Sequence, residues 1–139
     1  MENESKYKKI LVVGGSYQGK LEFVFKKFGM KSEQVISSED FLIENLKGIE
    51  KGNIIINQFH LIMKDWIERG RKPERLVEWI LEKNNIKVII SDEIGSGLVP
   101  MNKKDRYYRE ETGRALCKLA EQSEEVYRVQ CGIANRIKG

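Results

Sequence analysis

The sequence predicts an α/β fold, a mainly parallel β-sheet with helices on both faces. Two observations carry that expectation. Short runs of β-branched residues, apolar on both faces and bounded by turn residues, recur at positions 10–13, 54–56 and 88–90, the pattern of buried parallel strands. Between them the apolar period changes to that of a helix. Strands alternating with helices imply right-handed crossovers. The 139 residues, 40% hydrophobic and 33% charged, suffice for one ordinary domain with a real core, so residues 1–139 are read as a single domain.

The elements follow in order. The first strand, 10–13, ends at Gly14-Gly15. Leu21, Val24, Phe25 and Phe28 share one helical face, and Gly29 ends that helix. Positions 30–52 have the weakest pattern; Ser38 can cap a short helix reaching Leu46. Strand 54–56 follows Gly52-Asn53. Phe59, Ile62, Met63, Trp66 and Ile67 then form a helical stripe, stopped by Gly70. Pro73 opens a third helix with Leu76, Val77, Ile80 and Leu81 inward. Strand 88–90 follows Asn84-Asn85. A long helix over 103–122 turns Tyr108, Thr112, Ala115, Leu116 and Leu119 inward. Positions 126–129 alternate apolar with polar, as a more exposed strand does, and 133–137 can add another after Gly132.

Composition excludes several classes. Twenty-five Lys and Arg against 21 Asp and Glu give a net charge of +4, with the charges interspersed. Aromatics do not interleave a basic run, so no nucleic-acid partner is expected; an anionic small ligand suits the charge. Cys117, Cys131 and a single histidine make no zinc motif and point to a reducing compartment; both cysteines read as packing residues. Residues 1–9, MENESKYKK, lack the apolar core of a signal peptide. No segment approaches the roughly 20 apolar residues that span a bilayer. A cytoplasmic location is the expectation.

The chemistry concentrates at the ends of the strands. In LVVGGSYQGKLEF, Gly14, Gly19 and Lys20 match the Gly-x-x-x-x-Gly-Lys of a phosphate-binding loop. The fold is therefore read as P-loop NTPase-like. Backbone amides at Gly14, Gly15, Ser16 and Gly19 can cradle the phosphates of GTP or ATP, and Lys20 can reach the outer ones. The plainer alternative is an ordinary turn with a surface lysine. The motif's next position supplies a hydroxyl to Mg2+; here it is Leu21, so magnesium binding is weakened. Asn57 ends the second strand where such proteins often carry an acid, and it reads equally as a turn former. In VIISDEIGSGLVP, Asp92 and Glu93 stand at a strand's carboxyl end beside Gly95 and Gly97. Carboxylates there can take a metal, a ribose hydroxyl or a purine edge, and Glu93 is the nucleotide-binding candidate. Arg106 and Arg109, on successive helical turns, face either phosphates or solvent. His60, beside Lys64 and Glu68 on the polar side of its helix, reads as solvated.

The stretch SDEIGSGLVPMNKKDRYYREETGRALCKLAEQSEEVYRVQCGI resembles the bifunctional adenosylcobinamide kinase and adenosylcobinamide-phosphate guanylyltransferase family of cobalamin synthesis. The family pattern there reads roughly Ser-Asn-Glu-Val-Gly-x-Gly-Ile-Val-Pro, then Arg-x-x-Arg, Gly-Arg, Leu-Ala and a Glu-Val strand ending in Gly. Ser91, Glu93, Gly95, Gly97, Val99, Pro100, Arg106, Arg109, Gly113, Arg114, Leu119, Ala120, Glu125, Val126 and Gly132 match it. The glycine loop also matches in position. The resemblance implies a compact parallel α/β fold, a nucleotide at the glycine loop, and a homotrimer with sites near subunit interfaces. It also implies a corrinoid, adenosylcobinamide, as substrate, for which Gly95, Gly97, Arg106 and Arg109 are the candidate contacts. The family phosphorylates the aminopropanol hydroxyl, forms a covalent guanylyl-histidine and passes GMP to the phosphate. Three positions depart from that pattern. Residues 21–53 hold no histidine where the family's nucleophile lies, Leu21 replaces the hydroxyl, and Asn57 an acid. The expectation is thus a divergent, nucleotide-binding kinase/guanylyltransferase-like protein with impaired or lost transfer. An active enzyme and an α/β interaction protein with an empty site are the alternatives.

Overall fold

The computed structural model describes residues 8–16, 18–37, 52–93 and 102–139. In chain order they form β1 (Ile10–Gly14), α1 (Lys20–Phe28), a 3-10 turn (Ser32–Gln34), β2 (Val35–Ile36), β3 (Ile54–Ile56), α2 (Phe59–Glu68), α3 (Pro73–Glu82), β4 (Ile86–Asp92), α4 (Lys103–Gln122), β5 (Glu125–Gln130) and β6 (Ile133–Lys138). The sheet runs β2-β3-β4-β1-β5-β6. Neighbours are parallel except for the antiparallel pair β5–β6. The predicted α/β class holds.

Alternation along the strands divides the core into two layers. Leu11, Val13, Ile54, Ile56, Ile86, Ile89 and Val126 pack with α2, α3 and α4. Val12, Ile55, Val88, Ile90, Tyr127 and Val129 pack against α1 through Val24, with Phe23, Phe25 and Phe28 at the margin. Among the described residues, one helix therefore covers one face and three cover the other. Gly29, with φ 66, lets its N–H close α1 on Phe25 O. Lys9, buried at the start of β1, donates from Nζ to Lys83 O (2.6 Å) and Ile86 O (2.7 Å). It ties the strand to the turn before β4.

Several expectations change. β4 is seven residues long rather than three, because Ile86 and Asp92 both pair with neighbouring strands. β2, two residues paired to β3, is too short for any period to reveal. β5 is flanked by β1 and β6 and buries Val126, Tyr127 and Val129, but Arg128 and Gln130 stay exposed, so it is the more exposed strand that its alternation predicts. The cysteines are exposed, not packed. Cys117 is just off the inward face of α4, and Cys131, φ 51, occupies the β5–β6 turn. The expected helix starting at Ser38 lies outside the described residues.

From β1 the chain leaves through α1 toward β2; from β4 it leaves through α4 toward β5, on the other side of β1. Adjacent strands whose connections part in this way open a crevice at their carboxyl ends, the place where ligands bind in open α/β sheets. No described helix is long and apolar enough to cross a membrane.

Candidate functional site

At that switch point lies a cleft of about 450 Å³, bounded by the glycine loop, the start of α1, the β3–α2 turn and the end of β4. Its size falls within the range of small-ligand pockets. Gly19 enters α1 in the left-handed region (φ 90) that glycine adopts without cost, and no side chain caps the helix. Gln18 fastens the loop to the β5–β6 turn: its side-chain oxygen accepts from Cys131 N, and its carbonyl accepts from Gly132 N at 2.9 Å.

Four side chains converge in this cleft. Lys20 Nζ donates to Gly15 O (2.6 Å) and pairs with Asp92 Oδ1 (2.8 Å). Ser16 Oγ donates to Asp92 Oδ2 (2.7 Å). His60 accepts at Nδ1 from Asp92 N (3.1 Å), while its Nε2 lies 3.3 Å from Asp92 Oδ2. That pattern assigns the ring proton to Nε2. Tyr108 OH, its phenol pushed up to about 12 by burial, donates to His60 O at 2.9 Å and braces α2 from α4.

The electrostatics follow from burial and pairing. Burial lowers the His60 pKa, against the opposing pull of Asp92 and with a further push from Lys20, so the ring is neutral at neutral pH. Burial alone would raise Asp92, but hydrogen bonds from Lys20 and Ser16 and the nearby His60 and Lys20 charges prevail and hold it below the ordinary carboxylate range. Both native groups resist protonation, so their stabilisation is present above their unfolded pKa values and lost on acidification. For His60 the loss begins below about pH 6.5, the unfolded value. As the chain's single histidine, it should produce a fall in denaturant-measured stability between pH 7.5 and pH 5.5 that His60→Gln removes. An equal fall in the variant would contradict this.

The structure redistributes the candidates that the sequence suggests. Ser16, Gly19 and Lys20 line the cleft, with Gly14 and Gly15 at its base behind Lys20. Asn57 lines it too, while its N–H bonds Ile36 O and extends the β2–β3 ladder by one rung. Glu93 is not among the lining residues. Its carboxylate takes two hydrogen bonds from Arg128, at 2.9 and 2.6 Å, and its N–H bonds Gly14 O. Asp92 occupies the cleft in its place. Arg106 is exposed, Arg109 half-buried, and neither lines the cleft. Gly95 and Gly97 lie outside the described residues. His60, expected in solvent, is 9% exposed. It lies in the first turn of α2, where side chains lean back toward the helix N-terminus and reach the strand ends. Position next to a strand's carboxyl end, rather than helical face, was the signal for it.

The donor set fits a divalent cation beside phosphate. A hydroxyl and a carboxylate are adjacent, and Mg2+ sites of this kind use one or two protein oxygens plus substrate phosphates. Among the described residues no group of three or more His, Cys, Asp or Glu forms a self-sufficient metal cage.

The family model for cobinamide kinase / cobinamide phosphate guanyltransferase matches residues 39–137, beginning after the glycine loop. The chain is also 39% identical over 51 residues to the bifunctional adenosylcobalamin biosynthesis protein CobU of Salmonella typhimurium LT2. That match covers 37% of this chain and 28% of the relative. A solved Pyrococcus horikoshii OT3 protein aligns with 99% of this chain and 76% of its own, at 11% identity and a TM-score of 0.38, a likeness too loose to bear on fold or function. The match over residues 39–137 spans most of the sequence, and by it the chain belongs to the cobinamide kinase / cobinamide phosphate guanyltransferase family.

Proposed function

We propose that this chain binds GTP or ATP in the cleft at the head of α1, as a cobinamide kinase/guanylyltransferase-like protein of cobalamin biosynthesis whose transfer chemistry is impaired or lost. The observation that carries the reading is Lys20: it opens α1 after a strand and a glycine turn, and its ammonium faces a cleft at the sheet's switch point. The uncapped N-terminus of α1 adds its partial positive charge. Gly14, Gly15, Ser16, Gly19 and Lys20 are the nucleotide contacts, with Asp92 beside them.

Impairment rests on three residues. Leu21 offers Mg2+ no oxygen, and Asn57 is an uncharged amide. Asp92, by contrast, stands where the family pattern reads Asn, so the cleft's acid belongs to β4. The only histidine has its Nδ1 lone pair on Asp92 N and its Nε2 proton near the same residue's carboxylate. A covalent nucleophile needs a free lone pair aimed at phosphorus, and His60 presents none. An adenosylcobinamide-like corrinoid bound near Gly95, Gly97, Arg106 and Arg109, a homotrimer and a cytoplasmic location complete the proposal by family resemblance.

An active guanylyltransferase is the second reading, favoured by the presence of His60 in the cleft. Incubation with labelled GTP and cobinamide separates the two. The expected outcome is no label on cobinamide and no covalent GMP on the protein by intact mass. A GMP adduct on His60, or GDP-cobinamide formed, would establish the active reading instead.

A further inference from the structure

The cleft walls are poorly charged for a polyphosphate. Among the described lining residues Lys20 is the one cation, against the carboxylates of Glu22 and Asp92, and His60 is neutral. Asp92 also occupies the groups a phosphate would use: Oδ1 takes the Lys20 ammonium and Oδ2 the Ser16 hydroxyl. A bare triphosphate would meet net negative walls and a lysine already engaged.

We propose that Asp92 Oδ2 and Ser16 Oγ hold the divalent cation that accompanies the nucleotide, and that without this cation Asp92 excludes the nucleotide. The proposal rests on the nucleotide-binding reading above. The two oxygens are 2.7 Å apart, close to the roughly 3 Å that separates neighbouring ligands around an octahedral Mg2+ with bonds of about 2.1 Å. They come from opposite walls, the glycine loop and the end of β4, so a cation between them lies beside the phosphate cradle. The backbone of Asp92 is fixed by its N–H bond to His60 Nδ1 and by pairing with Gly14, which leaves the carboxylate to exchange Ser16 and Lys20 for metal and water. Once the cation neutralises Asp92, Lys20 is released to the phosphates.

Calorimetric titration of GTP and of ATP tests this, into the wild-type chain and Asp92→Asn, with excess EDTA and with Mg2+. Asp92→Asn keeps the shape of the side chain and removes its charge. Metal-free binding should tighten by about tenfold, the order of effect of one unit charge a few ångströms from a phosphate in a partly hydrated site. The Mg2+ enhancement seen in wild type should fall to less than about twofold, and Ser16→Ala should reduce it without tightening metal-free binding. An Asp92→Asn chain that binds more weakly under both conditions, or that keeps the wild-type Mg2+ enhancement, overturns the inference and leaves nucleotide binding standing. A wild-type chain that binds neither nucleotide under either condition overturns the nucleotide reading and this inference with it.

Discussion

Lys20→Ala should weaken GTP and ATP binding by about 10- to 100-fold, equivalent to about 1.5–3 kcal/mol for a charge-assisted hydrogen bond. Lys20 is 8% exposed, its ammonium bonds Gly15 O, and it is the one cation on the described cleft walls. No neighbour there can replace it. Removal also leaves Asp92 without its ion pair, so part of the lost affinity reflects an uncompensated carboxylate facing the phosphates. Lys20→Arg separates the contributions: it keeps the charge and should recover part of the affinity, although the guanidinium is too large for the position between Gly15 and Asp92. Titration of both variants, with circular dichroism confirming the fold, decides it. Unchanged affinity in Lys20→Ala would remove the lysine from the site.

Gly14→Ala should destabilise the fold by about 3 kcal/mol or more, beyond the ordinary range of overpacking. A Cβ at this position would lie 2.3 Å from Val129 O and 3.3 Å from Val129 C. Both are backbone atoms of β5, the strand paired with β1, so relief requires the two strands to part. The same residue pairs with Asp92 on its other side and gives its carbonyl to Glu93 N. Movement of Gly14 therefore disturbs β1, β4 and β5 together, at the base of the cleft. Gly15 provides the control, since a Cβ there meets only the flexible Gln18 side chain at 3.5 Å. Urea unfolding should show a large loss of stability for Gly14→Ala and little for Gly15→Ala. Equal midpoints would contradict the close approach.

The fold was legible because its elements are written in unambiguous periods. Phe59, Ile62, Met63 and Trp66 are all buried on α2, and Leu76, Val77 and Ile80 on α3, as their spacing requires. Gly29 and Gly70, both at positive φ, mark helix ends. What failed to show was set by tertiary pairing. β2 shows itself through its pairing with β3, and β5 lies inside the sheet because β6 pairs with its outer edge.

The site was half legible. The strand–glycine–lysine order points to the cleft, yet local pattern favours Glu93 as its acid and puts His60 in solvent. Alternation could have settled the first point. Asp92 shares the parity of Val88 and Ile90, which face α1, whereas Glu93 falls on the opposite parity and meets Arg128 of β5. A helical wheel does not reveal His60, because it describes the middle of a helix, whereas the first turn of α2 abuts the strand ends. The Ser16–Asp92 contact joins residues 76 positions apart, and no local pattern encodes it.

The most direct test of the account is a backbone-amide NMR titration with GTP in the presence of Mg2+. Saturable shifts are expected, clustered at Gly15, Ser16, Gly19, Lys20 and Asp92. Absence of shifts up to millimolar GTP would contradict it, as would shifts centred on the separate groove between α3 and α4, at Val77 and Ala115.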